Sequence, residues 1–197
     1  MKILKTDIIY TSEFVIKKSK FITIIKKVSS KSDVETIIKE NSNSDARHNC
    51  WAYVFNEDGI IRESFHNDGE PLGTSGDAML KTLKSMSLTN IIVFVIRYFG
   101  GTKLGVGPLG RSYTQGIKTI INDNDLLKDL EFGIQLTFSF NVSDIKRIDS
   151  VIKNGFSEIS RWYENDLVWI KTITKDNKNL TSIVGLINIT EENKILF

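Results

Sequence analysis

The alternation of apolar and polar positions predicts several strands in the first half of the chain. Residues 14–28 fit two strands around a Lys-Lys-Ser-Lys turn with a basic exposed face. Residues 49–55 and 60–65 fit a hairpin, and residues 91–97 are apolar up to Arg97, as in a strand buried on both faces. The pattern therefore favours a sheet with a largely buried centre.

The hairpin also predicts which residues lie opposite each other. An Asp-Gly dipeptide at 58–59 suits a two-residue type I′ turn. With that turn, Trp51 lies opposite His66, and His48 lies opposite Gly69. This register brings the residues just before the first strand alongside the segment that follows the second.

Apolar residues at helical spacing predict three helices among these strands. The first opens at Ser32, an N-cap candidate because Glu35 follows at the capping-box spacing. The second covers 74–86, with Thr74 or Ser75 as its cap. The third begins at Pro108, a residue favoured in the first helical turn.

Beyond Glu131 the predicted elements follow the order β-α-β-β-α-β, with a second helix in NKNLTSIVGLI and a short final strand in KILF. This order is typical of a ferredoxin-like domain. We therefore expect an α+β protein with domains at residues 1–126 and 132–197. Four aromatic residues of the second domain either stack on bases or pack in the sheet and core, and packing is the favoured alternative; they are Phe138, Phe140, Trp162 and Trp169.

Composition and charge narrow the functional classes. The formal net charge is +2, with 18 Lys and Arg against 15 Asp and Glu in residues 1–130 and 8 against 9 in the remainder. This charge alone does not indicate a nucleic-acid-binding protein. A single cysteine fits a reducing compartment, and no apolar run reaches the roughly 20 residues that span a bilayer. We expect a cytoplasmic protein with no membrane association.

The stretch RYFGGTKLGVGPLGRSY, residues 97–113, places five glycines directly after the apolar strand. Helices that begin at Thr74 and at Pro108 would present unpaired backbone N–H groups and a positive dipole end. Arg97, Lys103 and Arg111 could converge there on a phosphate group. The alternative is that the glycines only form turns and that the arginines pair with nearby carboxylates.

Other chemistries fit the sequence less well. GVGPLG matches the G-x-G-x-x-G dinucleotide pattern but does not come directly off a strand, so we interpret the match as accidental. His48 and Cys50 share one strand face while His66 lies on the other, which disfavours a zinc site. We predict no metal and no cofactor. An acid–base pair of His48 with Asp68 or Glu70 stays open as an enzymatic alternative.

Three dense motifs, ARHNCWAYVF, NDGEPLGTSGDAML and VFVIRYFGGTKLGVGPLGRSYTQG, closely resemble the IMPACT (YigZ-like) family in order and spacing. The resemblance covers most of residues 10–121. Members usually carry two aspartates before Gly-Glu-Pro, whereas this chain has Asn67 and Asp68. They also usually carry Lys-Pro where this chain has Asp77-Ala78, and Gly-Gly-Leu-Val-Arg where it has Gly-Pro-Leu-Gly-Arg at 107–111. The lost carboxylate at 67 weakens a paired-acid metal site.

The resemblance implies a βαβ-type two-layer N-terminal domain, similar to a domain of a small-subunit ribosomal protein and of elongation factor G, and a ferredoxin-like C-terminal domain. The eukaryotic relative restrains the amino-acid-starvation kinase by competing for its ribosome-associated activator. We therefore predict a non-enzymatic, translation-associated regulatory protein whose N-terminal domain contacts RNA or a ribosome-associated protein. The alternatives are an enzyme acting on a small phosphorylated or peptide-like substrate through His48 and Glu70, and a pure protein-interaction module.

The predicted anion or nucleic-acid site combines phosphate contacts, flanking groups, helix termini and loop glycines. Asp68 and Glu70 are expected to orient the arginines. The site residues are Arg47, His48, Asp68, Glu70, Thr74, Ser75, Arg97, Gly100, Gly101, Lys103 and Arg111.

Overall fold

The chain forms two structural units, each built around its own antiparallel sheet. The computed structural model describes residues 1–57, 60–122, 125–175, 180–181 and 183–196. The units are Met1–Asp129 and Leu130–Phe197. The fold is therefore α+β with two units.

Among the described residues, the first unit has seven strands: β1 Lys2–Leu4, β2 Tyr10–Ile16, β3 Ser19–Lys27, β4 His48–Glu57, β5 Ile60–His66, β6 Ile91–Tyr98 and β7 Leu127–Asp129. Five of them form one sheet in the order β2-β3-β6-β4-β5, in which every neighbouring pair is antiparallel. β1 and β7 pair separately. The centre of the five-stranded sheet is β6, whose residues Ile91 to Arg97 are all buried.

In the described part of this unit, three helices accompany the sheet: α1 Lys31–Asn41, α2 Gly76–Ser85 and α3 Val106–Asn122. Side chains of β6 alternate between the two sheet faces. Val93 and Val95 pack in the cluster that holds the apolar residues of α2 and α3, whereas Ile92 packs with residues of α1. Helices thus cover both faces, and the unit has three layers rather than the two that the family resemblance implied.

Two predicted helix starts need correction. The cap of α1 is Ser30, whose hydroxyl accepts the Asp33 backbone N–H at 3.1 Å while the Asp33 carboxylate accepts the Ser30 N–H at 3.0 Å. The capping box therefore lies two residues before Ser32. α3 begins at Val106, so Pro108 lies inside its first turn, where a missing N–H breaks no helical bond. Within the described part of the chain, no helix is both long and apolar enough to cross a bilayer.

The register of the β4–β5 hairpin is as predicted. Trp51 lies opposite His66, and their rings stack with centroids 5.7 Å apart. The turn residues 58–59 themselves lie outside the described residues. β5 ends at His66, so His48 has no ladder partner in β5 and instead pairs with Arg97 of β6.

The described residues of the second unit form four strands, β8 Phe132–Asn141, β9 Phe156–Glu164, β10 Leu167–Thr174 and β11 Asn188–Leu196, and one α-helix, α4 Ile145–Ile152. The strand order is β11-β8-β10-β9, with all pairs antiparallel. The described part of NKNLTSIVGLI is a 3-10 turn at 180–181 followed by turns at 183–186, not an α-helix; residues 177–179 and 182 lie outside the description. β11 is also longer than the predicted KILF strand.

The four aromatic residues of this unit divide between the two faces of its sheet. Phe138 and Phe140 are buried in the core with residues of α4. Trp162 and Trp169 lie opposite each other in the β9–β10 ladder, and their rings stack with centroids 5.8 Å apart. The two buried phenylalanines therefore cannot stack on bases, which agrees with the prediction that they pack in the core.

Candidate functional site

Four connections of the first unit meet at one end of its sheet. The strand registers bring them together, because Lys20 near the start of β3 pairs with Tyr98 at the end of β6, and His48 at the start of β4 pairs with Arg97. We call this region the loop end, and it comprises residues 17–18, 42–47, 67–75 and 99–111.

Glu70 is the buried centre of the loop end. Its side chain is 4% exposed, and its Oε1 accepts hydrogen bonds from the Arg97 guanidinium and from the Tyr113 hydroxyl, the latter at 2.6 Å. His48 Nε2 lies 3.7 Å from the same oxygen. These contacts tie the 67–75 segment to β6 and α3, so the segment is held by a buried ion pair rather than by solvent-exposed contacts.

Arg97 is part of this buried centre and not of the exposed surface. The residue is 4% exposed, and its guanidinium carbon lies 5.4 Å from the ring centroid of Phe21 and 5.6 Å from that of Phe99. Its Nε is buried without a partner among the described residues. The prediction that Glu70 orients an arginine fits this geometry, but Arg97 does not reach a phosphate at the surface.

Two further groups beside Glu70 are held in their neutral forms. Burial raises the pKa of the Cys50 thiol to about 12, and burial likewise raises the pKa of the Tyr113 hydroxyl. The Cys50 sulfur lies 3.0 Å from the Asn67 carbonyl oxygen and 3.6 Å from the Tyr113 hydroxyl. A neutral, buried thiol is a poor nucleophile, so the geometry assigns Cys50 a packing role.

His48 and Asp68 meet as the hairpin register predicted. The chain turns at Asp68, which has φ 44°, and its carbonyl oxygen lies 2.7 Å from His48 Nδ1. The Asp68 carboxylate accepts the Asn49 backbone N–H at 2.6 Å and lies 3.8 Å from His66 Nε2. Asp68 therefore holds the start of β4 and orients no arginine among the described residues, contrary to the prediction.

The N-terminus of α2 is closed to an anion. Thr74 and Ser75 have no exposed surface. The Asn67 side-chain oxygen accepts from the Ser75 hydroxyl at 2.9 Å and from the Asp77 backbone N–H at 3.2 Å, and the Asp77 carboxylate accepts the Gly73 N–H. Because protein groups already occupy these donors, the geometry does not support the predicted phosphate contact at Thr74. Asn67, at a position where the resemblance led us to expect aspartate, caps the helix.

The N-terminus of α3, in contrast, is open and cationic. Gly105, Val106 and Gly107 are exposed, and the first turn carries no acidic residue. A guanidinium nitrogen of the exposed Arg111 lies 3.7 Å from the place where a Cβ on Gly107 would stand. Lys103 in the preceding loop is also exposed. An anion site at the start of α3 therefore stays a prediction, and the exposed backbone and cations are compatible with it.

Two glycines explain how the 99–111 segment reaches its position. A Cβ on Gly100 would stand 2.0 Å from the Lys18 carbonyl carbon, so only glycine lets this segment lie against the 17–18 turn. Gly101 has φ +84°, a conformation that other residues rarely adopt. The glycines serve the close approach of two cation-bearing connections.

The sequence interpretation missed Lys17 and Lys18. Both are exposed in the β2–β3 turn, which joins the predicted Arg47, Lys103 and Arg111 at the loop end. The Lys-Lys-Ser-Lys turn was recognised in the sequence as basic and exposed. Only the pairing of β3 with β6, however, brings that turn next to the 99–111 segment. Five exposed cations thus belong to the loop end.

The geometry gives little support for metal or acid–base chemistry here. Across the described residues, no three His, Cys, Asp or Glu side chains lie in an arrangement that could hold a metal ion. Glu70 already accepts from Arg97 and Tyr113 through the oxygen that faces His48. The loop end presents exposed positive charge on segments that are held by the buried Glu70–Arg97 ion pair.

Comparison with known proteins agrees with the motifs. The family model of the Impact N-terminal domain matches residues 17–121. IMPACT family member YvyE of Bacillus subtilis is 40% identical over 112 residues, 56% of this chain and 51% of that protein. IMPACT family member YigZ of Escherichia coli is 39% identical over 107 residues, 52% of this chain and 52% of that protein. The chain thus spans about half the length of these two relatives.

A solved structure supports the fold over nearly the whole chain. A crystal structure of a hypothetical protein matches with a TM-score of 0.61 and 26% identity, and the match covers 95% of both chains. The family model alone matches more than half of the sequence. The chain belongs to the IMPACT family.

Proposed function

We propose that this protein is a translation-associated regulator that binds RNA through the loop end of its first unit. The observation that carries the proposal is the gathering of five exposed cations, from three separate connections, around one buried ion pair. They are Lys17, Lys18, Arg47, Lys103 and Arg111.

The charges of the loop end favour an anionic partner. Besides Glu70, the carboxylates of the loop end are the exposed Asp45 and the half-buried Asp68, and the Asp68 carboxylate already accepts a backbone N–H. Glu70 is neutralised by Arg97. The positive charge left at the surface therefore exceeds the negative charge, as phosphate binding requires.

The buried ion pair supplies rigidity to this surface. Glu70 fixes the 67–75 segment to Arg97 and Tyr113, and Gly100 fixes the 99–111 segment to the 17–18 turn. Cationic side chains on backbone segments that are already ordered lose less conformational freedom when they bind a partner. Arg47 and Arg111 add guanidinium groups, which hold phosphate oxygens in pairs.

The link to translation rests on the family and on the domain resemblance, which is an argument from analogy. The same resemblance leads us to propose domains at residues 1–126 and 132–197, the second of them ferredoxin-like. A cytoplasmic location belongs to this proposal, because ribosomal RNA is found there.

Sedimentation with purified ribosomes tests the proposal. The wild-type chain is expected to pellet with ribosomes at low salt, and the Arg47→Ala/Lys103→Ala/Arg111→Ala variant is expected to stay in the supernatant. The matched control, Lys39→Ala/Lys81→Ala/Lys153→Ala, removes three exposed lysines elsewhere and is expected to pellet like wild type. Equal pelleting of both variants would remove the loop end from the interface.

A ribosome-associated protein is the second candidate partner, and one observation favours it. Leu72, Phe99 and Val106 at the loop end are 80%, 46% and 64% exposed. Exposed apolar side chains next to charges are typical of protein interfaces. Pelleting that survives nuclease and high salt, and that is lost in Leu72→Ser/Val106→Ser, would favour this partner over RNA.

A further inference from the structure

A polar groove runs along the exposed face of α3, next to the loop end. Its volume is about 370 Å³. Its lining residues recur every three or four positions and so share one face of the helix. They are Arg111, Thr114, Gln115, Lys118, Thr119 and Asn122.

All six side chains that line the groove carry a polar or cationic group. Two side chains are cations, two are hydroxyls and two are amides, and none is a carboxylate or an apolar group. These are the side-chain types that contact phosphate and sugar oxygens in nucleic-acid complexes. The lining contains no aromatic ring on which a base could stack.

The two cations of the groove form no ion pair among the described residues. Several other basic residues are bound to carboxylates, such as Lys84 to Glu63 and Arg161 to Asp149. Within the described parts of the chain, the side chains of Arg111, Lys118 and Gln115 have no such partner. A ligand can therefore bind them without breaking an existing ion pair.

We infer that this groove binds the ribose–phosphate backbone of an RNA strand that continues from the loop end along α3. Arg111 belongs to both surfaces, and Lys118 lies seven residues further, about 10 Å along the helix axis. With cations and hydrogen-bonding groups but no stacking ring, the groove holds RNA independently of its base sequence. This inference rests on the proposed function, because it assigns RNA as the ligand.

The salt dependence of RNA binding tests the groove separately from the loop end. Affinity for a short single-stranded RNA is measured between about 50 and 200 mM salt. Gln115→Ala/Lys118→Ala is expected to weaken binding and to lower the slope of log affinity against log salt by about 1, the effect of one lost phosphate contact. Lys39→Ala, an exposed lysine of α1 on the other face of the sheet, is the matched control and is expected to behave as wild type.

Each outcome separates the two claims. An unchanged slope in the groove variant, with a lowered slope in Arg47→Ala/Lys103→Ala, overturns the groove and leaves the proposed function. A lowered slope in the groove variant alone keeps the groove and overturns the loop end. No RNA binding by the wild-type chain at about 50 mM salt overturns both.

A crosslinking experiment gives a readout that a change in folding would not imitate. The single cysteine, Cys50, is fully buried, so Gln115→Cys supplies the accessible thiol for a photoactivatable crosslinker. RNA is expected to crosslink at position 115 and not at position 39 in the matched Lys39→Cys variant. Equal yields at the two positions, or no crosslink at 115, would contradict the groove.

Discussion

Glu70 is the residue on which the loop end depends most. It is buried together with Arg97, and removal of one member of a buried ion pair leaves an uncompensated charge. Glu70→Ala is therefore expected to lower the free energy of unfolding by about 3 kcal/mol, measured by urea denaturation. The surface around it depends on this pair for its shape.

An exposed ion pair supplies the control for Glu70. Glu63 contacts Lys84 at 2.6 Å, but both side chains are at least one-third exposed. Glu63→Ala is expected to cost less than about 1 kcal/mol. Equal losses for the two variants would show that the Glu70 pair has no special role in stability.

Cys50 gives the fold a defined pH dependence. Burial raises its pKa from 9.0 to about 12, so the thiol stays protonated in the folded chain while it ionises in the unfolded chain. This contribution is fully present below pH 9 and is lost as the pH rises above it. The stability difference between wild type and Cys50→Ala should therefore shrink by about 1 kcal/mol from pH 8 to pH 10. A constant difference would contradict the burial of a neutral thiol.

At the scale of elements, α3 packs closely on the sheet through one glycine. A Cβ on Gly116 would stand 2.0 Å from Thr23 Oγ1, whereas a Cβ on Gly110 would stand 3.6 Å from the Gly73 carbonyl oxygen, an ordinary contact. Gly116→Ala is expected to lower the free energy of unfolding by about 2 kcal/mol, because α3 must move away from β3.

Gly110→Ala in the same helix is the matched control for Gly116. Alanine favours the helix by about 1 kcal/mol over glycine, so this variant is expected to unfold at equal or higher denaturant concentration than wild type. If both alanine variants destabilise the fold equally, the close approach at Gly116 does not explain the glycine.

The β2–β3 turn carries lysines where turn geometry favours other residues. Lys17 and Lys18 have φ of 44° and 65°, and Asn-Gly is the typical sequence for such a turn. Lys17→Asn/Lys18→Gly relieves positive φ at two lysines, offset in part by the entropy that glycine loses on folding, and is expected to stabilise the fold by about 0.5 kcal/mol and to weaken RNA binding. Unchanged RNA affinity would exclude this turn from the interface.

Local chemistry explains what the sequence could predict. The register of the β4–β5 hairpin followed from its two-residue turn, and it correctly brought His48 to Asp68. The apolar stripe of α3 was also visible, because Leu109, Tyr113 and Ile117 are all buried. Such features depend on neighbours a few residues apart.

Long-range partners explain what the sequence could not predict. Arg97 ends a buried strand, and only its contact with Glu70, 27 residues earlier, makes its burial possible. Ser75 is the N-cap residue of α2, one of the two predicted, but its side chain makes no capping hydrogen bond, and Asn67 from another segment supplies the capping oxygen. In both cases the partner of a polar group is set by the tertiary fold.

At the scale of the whole molecule, positive charge is concentrated rather than abundant. The chain has a formal net charge of +2, yet five exposed cations belong to the loop end. Local concentration of this kind raises the local density of anions without a strongly basic composition. The proposed binding surface is therefore evident from the fold, whereas the small net charge of the chain gives little sign of it.

The most direct test of this account is a gel-shift titration with ribosomal RNA at about 50 and 200 mM salt. The wild-type chain is expected to bind with strong salt dependence. The Arg47→Ala/Lys103→Ala/Arg111→Ala variant should lower the salt slope by about 3, about 1 for each lost phosphate contact, while Lys39→Ala/Lys81→Ala/Lys153→Ala should keep it. Equal slopes for wild type and both variants would contradict RNA binding at the loop end.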